Sequence, residues 1–396
     1  MKVLLSAFAC TPEPKTLDEE TGWQWAIALA RAGRDITVLT SGRNRAAIEA
    51  WLERNREVTI SFRYAGAVGT GRFANFLWQI RALLVLLQSG EWRDHDLVHH
   101  LTPGSIRRWS WLWLLPRPFV FGPASGGEHA PLRFVSPMGA GPLMRELLWR
   151  ALLALSFVDP VFVAMQARAA RILVTTPETA KTLWRRFRSK ATAAIAIGAP
   201  PARGTAGGRD AAPVRVLFAA PLRYETGGDL FADIAAEIES RGRRYELILV
   251  GDGPRRAAID AKLKRIRHLK VRAAGNPTLE ELTALYRESD IAVFPSLRSA
   301  TGAAVLDAMV HGLPTVCLDL GAPPMIAGET GEIVTTAGKN TQDLCRDLAD
   351  AVLRLAEDPQ RRLEMGRRSR ERALLLNWES AARAGFAAIR GSVNVP

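Results

Sequence analysis

Short apolar runs alternate with amphipathic segments along this chain, stop once, and then restart. This pattern limits the fold more than any other feature. Lys2–Phe8 reads as a buried strand. Gly22–Ala32 reads as a helix, with Trp23, Ala26, Ile27 and Ala30 at helical spacing and Gly33 closing it. Asp35–Leu39 is the next strand, and further strands are expected at Thr59–Tyr64, Leu97–His99, Phe119–Phe121 and Ile172–Thr175. Residues 197–213, rich in Gly, Pro and Ala, break the pattern and mark a linker. Strands then follow at Val214–Ala219, Tyr245–Val250, Val271–Ala273, Ile291–Phe294 and Thr315–Leu318. Helices are expected at Asp229–Ser240, Thr278–Glu288 and Ala303–His311, ahead of a long arginine-rich helical tail. Repeated strand-helix-strand units require parallel sheets with crossover helices. The fold class is therefore α/β, with two doubly wound Rossmann-like halves. Ligands in such sheets sit at the carboxyl ends of the strands, here expected in a cleft between the halves.

The 396 residues, 48% hydrophobic and 23% charged, supply two cores and exclude a disordered chain. Cys10, Cys317 and Cys345 are too scattered for a disulfide framework or a zinc site, and read as buried thiols of a reducing cytoplasm. The opening MKVLLSAFAC has the outline of a weak signal peptide, but its short run leading into a turn and helix reads better as a first strand. No uninterrupted apolar stretch reaches the roughly 18–20 residues of a membrane span. Arg117 breaks one run, and Asp159 with Pro160 breaks another. The net charge of +13, carried mostly by arginine, calls for an anionic partner or surface.

Three stretches follow predicted strands and could carry chemistry. The loop Thr11–Thr21 leads into a helix, where free N–H groups suit a phosphate or sugar hydroxyl and Gly22 allows close approach. The alternative reading of Asp18, Glu19 and Glu20 is as first-turn charges that favour the helix dipole. In Phe121–Pro131, Gly126 and Gly127 permit unusual backbone angles while Glu128 and His129 offer polar groups; an ordinary glycine-rich turn is the alternative. In Ser296–Asp307, Thr301 and Gly302 stand where a helix N-terminus would receive a diphosphate. The alternative there is a capped helix with a solvated Asp307. His99 and His100 end a strand, where a structural role is the simpler reading. No residue spacing suggests a metal, and there is no Walker A sequence or G-x-G-x-x-G after the first strand.

Taken together, the order of short motifs resembles bacterial glycosyltransferases of family 4, retaining enzymes of the GT-B fold. The N-terminal pieces are Leu5–Cys10, Gly22–Trp25, Asp96–His100, Phe121–Pro123 with Gly126–Glu128, and Thr175–Thr179. The later pieces are Val250–Pro254, Phe294–Arg298, Val305–Met309, Gly312–Pro314 and Leu318–Gly321. The resemblance implies an acceptor-side domain at 1–198, a linker at 199–213 and a nucleotide-sugar-side domain at 214–370. A helical segment, 371–396, would return to the first domain near Trp378. It implies a nucleotide-diphosphate sugar as co-substrate, no cofactor and no metal. It assigns donor contacts to Gly22, Gly126, Gly127, Glu128, Thr226, Gly251, Gly275, Arg298, Thr301 and Gly302, and catalytic roles to Asp307, Ser299 and Arg223.

The family pattern is altered at four donor positions. Where the family has an Arg and a Lys after the first strand of the second half, Ala220–Gly227 places Pro221 and Thr226. Ser299 and Asp307 stand where two carboxylates eight positions apart are usual. Three outcomes stay open: replacement of the lost cations by Arg223 or Arg298, a different donor, or a non-catalytic relative. Losing one donor at a charge-stabilising site costs about 3–4 kcal/mol of barrier, so the replacement matters. The expected activity is sugar transfer to a polysaccharide or lipid-linked acceptor in envelope or exopolysaccharide synthesis. The alternative is a catalytically impaired homologue acting as a binding or scaffold subunit. No nucleic-acid module is recognisable.

The charge is uneven. Residues 1–200 hold 25 Lys/Arg against 15 Asp/Glu, and residues 201–396 hold 28 against 25. The basic half also contains the apolar segments Phe73–Leu87, Trp109–Trp113 and Met144–Leu155. Basic residues beside such helices suit an anionic membrane, at the inner face of the plasma membrane for a cytoplasmic protein. Core-facing helices with solvated arginines are the alternative.

Overall fold

The computed structural model describes residues 1–66, 69, 71–200, 213–242 and 245–391, and in these the strands form two all-parallel sheets. Most of the expected linker 199–213 lies outside the described residues.

One compact unit comprises residues 1–127, 152–198 and 377–396. Its strands are β1 (Lys2–Ala7), β2 (Asp35–Thr40), β3 (Ser61–Tyr64), β4 (Leu97–Thr102), β5 (Phe119–Ala124), β6 (Arg171–Val174) and β7 (Ala191–Ala193), in the order β3-β2-β1-β4-β5-β6-β7. Every residue of β4 and β5 is buried, as expected for central parallel strands covered on both faces. β5 runs on to Ala124, so Gly122 and Pro123 lie within the strand and not in a loop after Phe121.

The first helix is Leu17–Arg31, which corrects the expected start at Gly22. Thr16 accepts the Glu19 N–H (3.3 Å), and the Glu19 carboxylate accepts the Lys15 N–H (2.9 Å). One orphan donor at the helix start is thereby satisfied and the residue before the cap is held, while Asp18, Glu19 and Glu20 complement the dipole in the first turn. Helix Trp378–Arg390 packs on this helix, burying Phe386 and Ile389 in the same core as Trp25. Gly385 is where the two approach: a Cβ there would lie 2.5 Å from the Trp25 ring.

The other unit comprises residues 128–151 and 199–376. Its strands are β8 (Arg215–Ala219), β9 (Glu246–Val250), β10 (Lys270–Gly275), β11 (Ile291–Phe294), β12 (Thr315–Leu318) and β13 (Gly331–Val334), ordered β10-β9-β8-β11-β12-β13. Phe134 and Val135 are buried in the core of this unit with Val216, Phe218 and Leu249, which ties the early segment to the later sheet. The arginine-rich tail resolves into Thr341–Glu357, Pro359–Leu375 and Trp378–Arg390, of which the first two belong here.

Each sheet reverses its strand order once, between β1 and β4 in one and between β8 and β11 in the other. Loops leaving neighbouring strands at such a point diverge to opposite faces and leave a crevice at the strand ends. In the second unit those loops are 220–227 and 295–302.

Candidate functional site

In the second unit the two switch-point loops are bonded to each other. The Leu297 and Arg298 N–H groups donate to the Glu225 carbonyl (2.9 and 3.1 Å), and the Ser296 hydroxyl donates to the Thr226 carbonyl (3.3 Å). Gly227 has φ +83°, and a Cβ there would meet the Pro295 carbonyl oxygen at 2.0 Å. Only glycine fits this approach. The next strand end joins in the same way. Gly251 (φ +124°) packs under the Ala220 carbonyl, and its N–H donates to the Gly275 carbonyl (2.6 Å). Gly251 and Gly275 therefore shape the loop floor.

The candidate side chains in these loops have different uses. Thr226 is turned into its own loop: its hydroxyl donates to the Pro221 carbonyl (2.5 Å) and receives the Arg223 N–H (3.3 Å). The Ser299 hydroxyl accepts the Gly302 N–H (3.3 Å), and its carbonyl accepts the Ala322 N–H (2.9 Å). Both side chains brace the turns that carry them. Gly302 takes φ +68° and begins helix Ala303–Val310, with half-buried Thr301 before it. Asp307 is half-buried in that helix, and its carbonyl accepts from His311 Nδ1 (2.8 Å). Burial, reinforced by the Asp307 charge, drives the Tyr286 phenol far above its ordinary range.

Arg298 is held by acids rather than presented as a spare cation. It donates to Glu146 (3.2 Å) and to the Tyr224 hydroxyl (3.2 Å), lies 3.5 Å from the Glu225 carboxylate, and stacks over Trp149 at 4.5 Å. The Glu146 side chain has no exposed surface. It also accepts the Ala130 N–H (2.9 Å) and the Tyr224 hydroxyl (3.1 Å). Burial, the largest influence, pushes the Tyr224 phenol up to about 12, which keeps it a neutral donor to this carboxylate. Glu128 is buried nearby in the chain, and its carbonyl accepts from Trp149 (2.8 Å). By contrast Arg223 is exposed, with no acidic partner among the described residues.

Glu146, Tyr224 and Trp149 were not among the sequence candidates. Glu146 is the only acid between residues 130 and 158, and a lone carboxylate in an apolar, basic stretch was the available signal.

The first unit places Gly22 in its first helix and Gly126 and Gly127 together in the loop after β5. Gly22 lies inside the first helix, where its missing side chain admits the Ala9 carbonyl (2.0 Å from a built Cβ) and not a ligand. Gly126 has φ +105° after β5, and Gly127 donates its N–H to Thr179 (3.1 Å). His99 and His100 are fully buried in β4. Burial lowers them to about 4 and about 3, so both are neutral and structural. A cavity of about 260 Å³ between helices Leu17–Arg31 and Trp378–Arg390 adjoins the C-terminal end of the first helix, away from the strand ends. The described residues hold no cluster of three metal-ligating side chains.

Comparison with known proteins fits this arrangement. Two solved structures share the fold across the whole length. A sucrose-phosphate synthase from Thermosynechococcus elongatus is 17% identical, with 98% of each chain covered and a TM-score of 0.61. Anabaena HepE in complex with UDP-glucose is 15% identical, with 99% of this chain and 100% of the other covered and a TM-score of 0.55. The two units are thus the two Rossmann-like domains of the GT-B glycosyltransferase fold. Residues 213–358 match the family described as Glycosyl transferases group 1, and this part of the chain is a domain of that kind. Among curated relatives, an alpha-D-kanosaminyltransferase of Streptomyces kanamyceticus is 30% identical over 161 residues, 40% of each chain. The chain spans about two fifths of the length of the leading curated relatives it matches.

Proposed function

We propose that the protein is a glycosyltransferase that takes a sugar from a nucleotide-diphosphate sugar and passes it, with retained anomeric configuration, to a glycan or lipid-linked acceptor of the cell envelope. The observation that carries this reading is the strand-order reversal between β8 and β11, with the linked loops 220–227 and 295–302 at the strand ends, in the domain that matches Glycosyl transferases group 1. Gly302 opens helix Ala303–Val310 there, and free N–H groups at a helix start suit a diphosphate. Arg223, exposed and without an acidic partner among the described residues, supplies positive charge to the leaving diphosphate. Asp307 accepts from a ribose hydroxyl. Arg298 and Ser299 hold the loops. This agrees with HepE having been solved with UDP-glucose.

A second reading rests on the same loops. Pro221 replaces a cation, Thr226 and Ser299 are spent on their own turns, and Arg298 is neutralised by Glu146. These features favour a binding or scaffold subunit that retains the nucleotide and lacks turnover. Calorimetry with nucleoside diphosphates and their sugars at about 1 mM, followed by an assay for sugar-nucleotide consumption, separates the readings. Binding with turnover is expected. Binding without turnover on any acceptor extract selects the scaffold, and no binding at all overturns both.

A further inference from the structure

Helix Ala140–Ser156 has two unlike faces. Glu146 and Leu153 are buried on one side, with Trp149 and Arg150 half-buried beside them. On the opposite side Met144, Leu147, Leu148 and Leu155 are exposed, 42–67% of each, and Val158 just beyond is 71% exposed. At 3.6 residues per turn the four helical side chains fall within a stripe about 100° wide and ~16 Å long. Soluble surfaces rarely leave such a stripe uncovered.

Its chemistry names what covers it. Glu146 is the only acid from residue 130 to 158, and it is wholly buried, so the exposed charge along this helix is positive, led by Arg145. In the first unit the Trp184 indole donates to the Phe157 carbonyl (2.8 Å) at the end of this helix, and exposed Arg185 and Arg186 follow it. Residues 179–200 contain no acid. Through Trp109, bonded to Asp159 (2.7 Å) and stacked edge-on with Phe76 (6.3 Å), the surface continues to the exposed Phe73 end of helix Arg72–Ser89. Residues 58–90 also lack any acid.

We propose that this face lies on an anionic lipid bilayer, with the leucine stripe in the acyl boundary, Trp184 at headgroup level and the arginines on the phosphates. The helix lies on the membrane and does not cross it. No single described helix is long and apolar enough to span. The following helix, Pro160–Arg168, is bent 57° away and buries Phe162 and Met165 in the protein core.

The proposal does not rest on sugar transfer, and its test needs no turnover. The full chain is sedimented with phosphatidylcholine vesicles and with vesicles containing about one third phosphatidylglycerol, at low and high salt. Wild type is expected to pellet with the anionic vesicles at low salt, and about ten-fold less at high salt. Leu148→Glu with Leu155→Glu, and separately Arg145→Glu with Arg185→Glu, should each reduce pelleting ten-fold or more without lowering Tm. These side chains are exposed, so folding is not at stake. A wild type that stays in the supernatant overturns the proposal, as does undiminished binding by the leucine variant. A dimer in solution that the leucine variant dissolves also overturns it, because a second copy would then cover the stripe.

Discussion

Glu146 and Arg298 stand 152 positions apart in sequence and meet at 3.2 Å, the carboxylate fully buried and the guanidinium side chain only 15% exposed. Removing one partner of a buried pair leaves the other charge uncompensated, at about 3–5 kcal/mol. Arg298→Met is therefore expected to lower unfolding free energy by about that much in urea titrations. Arg298→Met with Glu146→Gln should recover at least ~1 kcal/mol relative to the sum of the single changes, because no buried charge remains. Additive effects would show that the pair is not coupled.

Gly22→Ala sets two effects against each other. Alanine is the better helix former by about 1 kcal/mol. Its Cβ, however, would lie 2.0 Å from the Ala9 carbonyl, and overpacking of a tight site costs about 1–3 kcal/mol. The clash is with backbone and not with a flexible side chain, so a net loss of Tm is expected. An unchanged or raised Tm would mean that the loop after β1 yields easily.

Arg223→Gln and Asp307→Asn test the donor reading at two points. Each is expected to weaken nucleoside-diphosphate binding about ten-fold by calorimetry, which corresponds to about 1.4 kcal/mol. Arg223 is exposed and Asp307 half-buried, so Tm should change little. Unaltered affinity in both variants would remove these residues from the site.

His99 and His100 make stability fall on acidification. Their folded values, about 4 and about 3, lie below the unfolded value of 6.5. Above pH 6.5 both states are neutral and the full stability is present. As pH falls from 6.5 toward 4, the unfolded chain takes up protons that the native core refuses, costing about 1.4 kcal/mol per pH unit for each histidine. Urea midpoints should therefore decline between pH 6.5 and 4. His99→Gln, which can still donate to Gly122 as His99 Nε2 does at 2.6 Å, should flatten that slope by about half. A slope identical to wild type would assign the acid sensitivity to other groups.

The alternating strands and the two-sheet architecture were legible because period and punctuation are local properties. The Thr16–Glu19 cap is equally local, but the apolar spacing that reads as helix begins at Trp23, which puts the expected start too late. Gly126, with φ +105°, was readable as a special backbone position. The partnership of Arg298 was not readable, because its counter-charge comes from a helix far upstream. Nor did any composition change mark residues 128–151 as part of the later unit. Phe134 and Val135 show why: a core is assembled from whatever apolar side chains the path of the chain delivers.

That path bears on how the gene can be divided. A fragment begun at the Gly/Pro-rich segment would keep the six-stranded sheet but leave behind Phe134, Val135 and Glu146. Its hydrophobic core would be open on one side, and Arg298 would have lost its buried counter-ion. Chimeras with other proteins of the GT-B fold meet the same obstacle, since the transplantable piece of this protein is discontinuous. Grafting the second half requires carrying a matching 128–151 segment with it.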